Sequence, residues 1–251
     1  IRRGIDLVGG APHLATDPQA ELGRLLDLAD ELGVGADMHT DEGLDGPLTI
    51  VELARRAATW DGRSATAGHC CRLGTLPKDE LAPVIDAILE ADLGIVTLPI
   101  TNLYLQGWEV PVSTPRGLTA VRDLLDAGAR IGAGADNVRD PFNPLGRCDH
   151  LETVSLLVTA AHVSIDEAYS LVSDGARSVM RLPQAGAFPG GRAEFVAIKG
   201  GSLAEIAATA DPNRHVIHRG AIVSSTVATV TTAAWTPVSV STSTIEGQVT
   251  A

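Results

Sequence analysis

The chain has 251 residues, a formal charge of −12, 45% apolar residues and only 3% aromatics. It has material for a sizeable core, but its acidic, aromatic-poor surface lacks the basic footprint and stacking platforms of a nucleic-acid binder, so a small neutral or basic substrate fits better. Cys70, Cys71 and Cys148 lack CxxC spacing, no apolar run nears the roughly 20 residues that span a bilayer, and Ile1-Arg2-Arg3 leads into no signal-peptide core; the expected setting is the cytoplasm, without membrane contact.

From the N-terminus, residues 5–8 read as a strand and Gly9-Gly10 as the turn that leaves it. A helix is expected over 18–32, entered through Pro18 and closed by Gly33, with Leu22, Leu25, Leu26, Ala29 and Leu32 on one stripe. The alternation continues with strands at 36–39, 64–69, 94–99 and 130–135, separated by helices at 47–60, 77–91 and 115–127. Strands recur roughly every 30 residues, the length of one βα unit, and joining them through helices requires parallel pairing by right-handed crossovers. Two more helices follow at 151–162 and 165–180. From Arg192 the texture changes to a small β module with strands at 194–198 and 215–223, and the Thr, Val, Ser and Ala-rich stretch 226–251 reads as a tail. The expected organisation is α/β over 1–190, the β module over 191–225, then the tail.

Three strands end in polar patches, His39-Thr40-Asp41-Glu42, Gly68-His69 and Gly134-Ala135-Asp136-Asn137. In a (β/α) barrel the chemistry collects at the C-terminal ends of the strands, so two imidazoles and three carboxylates are placed to converge. Neutral imidazoles suit Zn²⁺ or Fe²⁺, and a free carboxylate nearby can carry protons. The competing readings are histidines with a structural role only, and an open doubly wound sheet that binds ligands where the strand order switches. His13, after Pro12, reaches the cavity mouth as a supporting group, and Asp140 rigidifies the loop behind Asp136. Cys70 and Cys71 read as packing residues rather than thiolate ligands, and His150, His162, His215 and His218 as surface or packing residues. Neither Gly9-Gly10 nor Gly190-Gly191 belongs to a nucleotide-binding glycine pattern.

These patches, together with Asn102-Leu103-Tyr104-Leu105-Gln106-Gly107 and the run from Asp136-Asn137-Val138-Arg139-Asp140 through Pro141-Phe142-Asn143-Pro144-Leu145-Gly146, resemble the amidohydrolase superfamily. The likeness is greater to its cytosine deaminase branch and extends over roughly residues 4–224. It implies an incomplete TIM-type (β/α) barrel over 1–190, whose five units correspond to strands 4–8, followed over 191–225 by the C-terminal part of a small β-sandwich. It implies one divalent metal ion, Zn or Fe(II), with His39 and Asp136 as ligands. In that pattern Asp136 also accepts a proton from the metal-bound water, Glu42 carries it to a ring nitrogen, and His69 orients the hydroxide that attacks. Burial that raises the Glu42 pKa would help it to hold a proton. Asn102, Gln106, Asn137 and Phe142 fall near the substrate, implied to be a pyrimidine-like ring or related cyclic amidine or amide that loses an exocyclic C–N bond. Binuclear members use a bridging lysine at the fourth barrel strand; only Lys78 and Lys199 occur here, at a helix start and in the β module, so one metal is implied.

The chain departs from the family pattern in having no His-x-His pair, which members carry on the first barrel strand. Because it also starts without Met, in the lead-in to a strand, an upstream segment is expected; the alternatives are a complementing N-terminal segment from another chain, a homo-oligomer, or a non-catalytic relative acting as a binding or assembly partner. Asn137 stands where an acidic residue is usual and Phe142 where Trp is common, which favours a modified pyrimidine, a triazine or another cyclic amidine over cytosine itself.

Overall fold

Five short strands form one parallel sheet in the computed structural model, which describes residues 4–233. They are β1 (Leu7–Gly10), β2 (Gly35–Thr40), β3 (Ala65–His69), β4 (Gly94–Thr97) and β5 (Ile131–Ala133), hydrogen-bonded in strictly sequential order. That order contains no switch point, so the wall is barrel-like and the doubly wound alternative is excluded. The connecting helices are α1 (Pro18–Leu32), α2 (Ile50–Ala57), α3 (Lys78–Glu90), α4 (Pro99–Leu105) and α5 (Val121–Asp126). Residues 1–3 and 234–251, the latter most of the expected tail, lie outside the described residues.

The α1 boundaries match the sequence reading. Asp17 caps its first turn by accepting from Ala20 N, and Gly33 closes it at φ 66°, a left-handed position that favours glycine. Leu22, Leu25, Leu26 and Ala29 are buried against the sheet, where they join Val8, Met38 and Leu53 in the core. All five residues of β3 are buried, as expected of a central strand covered on both faces.

Several boundaries differ from the sequence reading. Gly9 and Gly10 are not a turn: they pair in register with Asp37 and Met38. A Cβ on Gly10 would lie 2.5 Å from Leu25 Cδ1, so this glycine serves the close approach of α1 to β1. The helices expected over 47–60 and 115–127 are shorter, because 47–49 and 115–120 are loop; α4 was not expected at all. The two later helices become α6 (His150–Leu156), α7 (Ile165–Ser170) and α8 (Ala176–Val179), with wider π-type turns at Leu157–Ala161 and Leu171–Gly175. At the second of these turns a Cβ on Gly175 would meet Ile131 O at 2.6 Å, and one on Gly132 would meet Ala176 Cα at 2.8 Å. Two glycines thus let β5 and this segment touch backbone to backbone.

Beyond α8 a second, antiparallel sheet has the order β6 (Phe195–Ile198), β7 (Arg214–His218), β8 (Ala221–Thr226), with α9 (Leu203–Thr209) between β6 and β7. The single strand expected at 215–223 is therefore two. Arg219 and Gly220 both have positive φ, 50° and 80°, forming a two-residue hairpin turn of the kind that matches strand twist. Arg-Gly is a weaker hairpin signal than Asn-Gly, which is why the run reads as continuous.

Truncating the core stripe should show its weight. Leu26→Ala, at a fully buried position, is expected to lower unfolding free energy by about 2–5 kcal/mol in urea titrations. Leu89→Ala, on the 41% exposed face of α3, should cost under about 1 kcal/mol. Equal losses at the two positions would contradict this packing.

Candidate active site

Along β2, Ala36, Met38 and Thr40 are buried while Asp37 and His39 point to the open face of the wall. The next residue, Asp41, has φ 50°, and the chain turns sharply there. Its buried carboxylate does not join the cavity: it accepts from Thr49 N and Thr49 Oγ1 at 2.7 Å each and from Ile50 N at 3.0 Å, capping the start of α2. Of the three carboxylates expected to converge, Glu42 and Asp136 do so.

His69 sits in the strand phase of Ala65 and Ala67, whose side chains belong to the hydrophobic core. Its φ of 69° breaks that alternation, and the ring turns toward β2. His69 Nε2 lies 2.8 Å from His39 Nδ1, with the two rings 4.8 Å apart and tilted by 38°. Asp136, past the end of β5 and also left-handed at φ 62°, brings Oδ2 to 3.8 Å from the same nitrogen. Non-glycine residues held in this region cost about 1–3 kcal/mol each and are common at functional sites.

Glu42 lies between two imidazoles, Oε2 at 3.0 Å from His13 Nε2 and Oε1 at 3.4 Å from His69 Nδ1. His13 comes from the short 3₁₀ turn Pro12–Leu14 that follows β1, so a fourth strand end contributes to the same spot. Gln106 Nε2 donates to Glu42 O at 2.6 Å, and Asn102 Nδ2 lies 2.8 Å from His69 Nδ1. Asn102 lies in α4 and Gln106 is the residue that ends it. Asn137 donates its amide N–H to Asp140 Oδ2 at 2.8 Å, and Asp140 also accepts from Phe142 N and Asn143 N, so it ties the loop together. Phe142 itself is 58% exposed.

Burial lowers the His69 pKa to about 4, so the ring is neutral at pH 7. Burial raises Asp136 above the usual carboxylate range, with the neighbouring Glu42 charge adding to it and His39 opposing. Burial also acts to raise Glu42, but the His13 hydrogen bond and the surrounding imidazoles outweigh it, and Glu42 titrates below its ordinary value. This departs from the expected raised Glu42 pKa, and the His13 contact is the reason; His13 is raised in turn, first by that same hydrogen bond.

The other candidates fall outside the cluster. Cys70 and Cys71 are buried and burial pushes both thiols up, leaving them neutral, as packing residues should be. His150, His162, His215 and His218 are exposed, and Lys78 pairs with Asp123 at the surface. A separate cavity of about 960 Å³ lies between the C-terminal helices and the small sheet, and within its lining Arg177 pairs with Glu194 and Arg214 with Asp149.

His39, Glu42 and His69 each offer a ligand atom, all within 4.8 Å of one another, and Asp136 stands beside them. Two imidazoles and two carboxylates form a nitrogen and oxygen donor set that suits a borderline divalent cation such as Zn²⁺ or Fe²⁺. The donor types present therefore fit the expected ion, and with His39 and Asp136 as its ligands this chain supplies two of the three protein ligands that a catalytic site of this kind takes. His13 stands beside the cluster, as expected of a supporting group, whereas its partner Glu42 and the Asn102 contact with His69 were not legible beforehand; the available signal for α4 was Pro99, pre-set for a first helical position.

A parallel β/α wall with imidazoles and carboxylates gathered at its strand ends has its polar groups where barrel enzymes place their active sites. The chain belongs to the amidohydrolase family, whose sequence model matches residues 1–244. A pterin deaminase from Rhizobium rhizogenes is 30% identical over 230 residues, covering 89% of this chain and 52% of that protein. Among solved structures, 5-methylcytosine deaminase from Klebsiella pneumoniae superposes with a TM-score of 0.81 at 23% identity, over 92% of this chain and 59% of that one. N-isopropylammelide isopropylaminohydrolase from Burkholderia multivorans gives 0.74 at 26% identity, over 90% and 56%. The chain spans about half the length of the curated relatives it matches.

If Asp41 caps α2, Asp41→Ala leaves buried N–H groups without acceptors and should destabilise the fold by about 2 kcal/mol, read from urea unfolding. An unchanged midpoint would show that its carboxylate has another role.

Proposed function

We propose that this chain carries the catalytic centre of a mononuclear, metal-dependent amidohydrolase that hydrolyses the exocyclic C–N bond of a pyrimidine-like ring. One observation carries the reading: His39, Glu42, His69 and Asp136, from the ends of three different strands, meet around one spot. In this reading residues 1–190 are barrel wall and 191–225 are the C-terminal part of a small β-sandwich. The edge strands β1 and β5 are where a complementing N-terminal segment or a second copy would pair. Free thiols at Cys70, Cys71 and Cys148 fit a reducing compartment, the cytoplasm.

His39 and Asp136 would hold a single Zn²⁺ or Fe²⁺. When bound, such an ion lowers the pKa of a coordinated water from 15.7 to about 7 and so supplies a nucleophile at neutral pH. Asp136, besides holding the ion, would accept a proton from the attacking water. Glu42, ionised beforehand, would receive that proton and carry it to the ring nitrogen beside the carbon under attack, which makes that carbon more electrophilic, and the second proton of the same water, passed to the exocyclic amine as the C–N bond breaks, would let it depart as ammonia or an alkylamine. His13 holds Glu42 in place, and neutral His69 orients the attacking oxygen.

The relatives named for pterin, 5-methylcytosine and N-isopropylammelide share a nitrogen-rich six-membered ring with an amino substituent. Together they support an amino-substituted pyrimidine, fused or not, or an aminotriazine. Asn137 spends its N–H on Asp140, which leaves Oδ1 to accept from a ring N–H or exocyclic amine, and exposed Phe142 offers a face for the ring. Asn102 and Gln106 support the catalytic groups from behind.

Ammonia release from cytosine, 5-methylcytosine, pterin and an aminotriazine, measured with Zn²⁺ or Fe²⁺ supplied, tests the proposal alongside metal analysis. His39→Ala and Asp136→Ala are expected to lose both cation and turnover. Glu42→Gln should keep the cation and lose about 10²–10⁴-fold in rate. Full metal loading and ammonia release in Asp136→Ala would defeat the assignment.

A further inference from the structure

On the reading just proposed, we infer that Asn102 is a positioning residue that fixes His69 in a single tautomer, with Nε2 protonated and Nδ1 bare. Asn102 lies in the short helix α4 and is fully buried. Its Nδ2 is 2.8 Å from His69 Nδ1. An amide nitrogen only donates, so a contact this short requires the ring nitrogen to accept. A ring whose Nδ1 accepts cannot be the doubly protonated imidazolium, so its one proton sits on Nε2. That N–H points to the middle of the cluster, 2.8 Å from His39 Nδ1 and 3.8 Å from Asp136 Oδ2.

The opposite arrangement, with the amide turned over, would put Asn102 Oδ1 against Nδ1 and leave the Nε2 lone pair free for a cation. Asn102 Oδ1 is buried without a hydrogen-bond partner, so turning the amide would place two N–H groups where one carbonyl oxygen now goes unpaired. Orphaned buried N–H groups are rarer and costlier than under-satisfied carbonyls, which favours the orientation seen. Glu42 Oε1, at 3.4 Å from Nδ1, lies beyond normal hydrogen-bond length and does not compete with Asn102.

The rest of α4 keeps Asn102 in register. Thr101 Oγ1 donates to Ala135 O at 3.3 Å and accepts from Asn137 N at 3.2 Å, while Gln106 Nε2 holds Glu42 O. One seven-residue helix and the residue that ends it therefore touch all three segments of the cluster. The consequence is a division of labour: His69 offers its Nε2–H to the middle of the cluster as a hydrogen-bond donor and is not a ligand, although its ring lies among atoms close enough to bind a cation.

Nitrogen-15 NMR of the histidine rings in the full chain, with and without one equivalent of Zn²⁺, reads this directly, the His69 signals being assigned by their loss in His69→Asn. The expected spectrum has a pyridine-like Nδ1 and a pyrrole-like Nε2 in both conditions. Asn102→Asp, which offers only an acceptor, should exchange the two resonances, and Asn102→Ala should give a mixture of tautomers. A protonated Nδ1 in the unmodified protein, or an Asn102→Asp spectrum unchanged from it, would overturn the inference. Should Asn102→Asp fail to fold, the unmodified protein and Asn102→Ala decide. The tautomer is measured whether or not a heterocycle is turned over, so its failure and that of the proposed activity are separate results.

Discussion

At the end of β3 the backbone enters the left-handed region at His69 and Cys70, φ 69° and 50°, and an imidazole that strand alternation would bury among alanines swings toward His39 instead. The rest of the site is arranged around that ring. Glu42 and Asn102 meet its Nδ1 side, His39 and Asp136 its Nε2 side. Holding a bulky side chain in this backbone conformation costs about 1–3 kcal/mol, which the packed interior of a central strand can offset. β3 is buried along its whole length and paired on both sides, so it is the strand best able to bear the strain.

The same logic separates neighbouring residues of one short motif. In His39-Thr40-Asp41-Glu42, Thr40 is buried behind the sheet, Asp41 caps α2, and only His39 and Glu42 face the cavity. Two adjacent carboxylates thereby acquire opposite tasks. Asp41 serves the fold through three hydrogen bonds; Glu42, paired with His13, is kept ionised inside a partly buried cluster. Glu42 is lowered while Asp136 is raised, so the two cavity carboxylates of one cluster differ in proton affinity because only Glu42 has His13 as a hydrogen-bonded partner.

How much of this was legible in the sequence follows from the range of each interaction. Helix α1 was readable to the residue because its cap, stripe and closing glycine are all local, and the five βα units because their spacing is periodic. Gly9 and Gly10 look like a turn in isolation; only the approach of Leu25 from α1 explains them. The strand-end residues His39, Glu42, His69 and Asp136 could be proposed from position alone, but the His13 contact with Glu42 and the Asn102 contact with His69 join segments about 30 residues apart or more and need the folded wall to exist first. Asp37, which accepts a hydrogen bond from Thr66 Oγ1 across the sheet, was invisible for the same reason.

The convergence of these groups on one cation is tested most directly by diffraction at the zinc absorption edge from crystals of the protein grown with Zn²⁺. A single anomalous peak bonded to His39 and Asp136, with Glu42 and His69 beside it but not bonded, is expected. No peak at that spot, or full occupancy at another, would contradict the assignment of the strand ends as a metal centre.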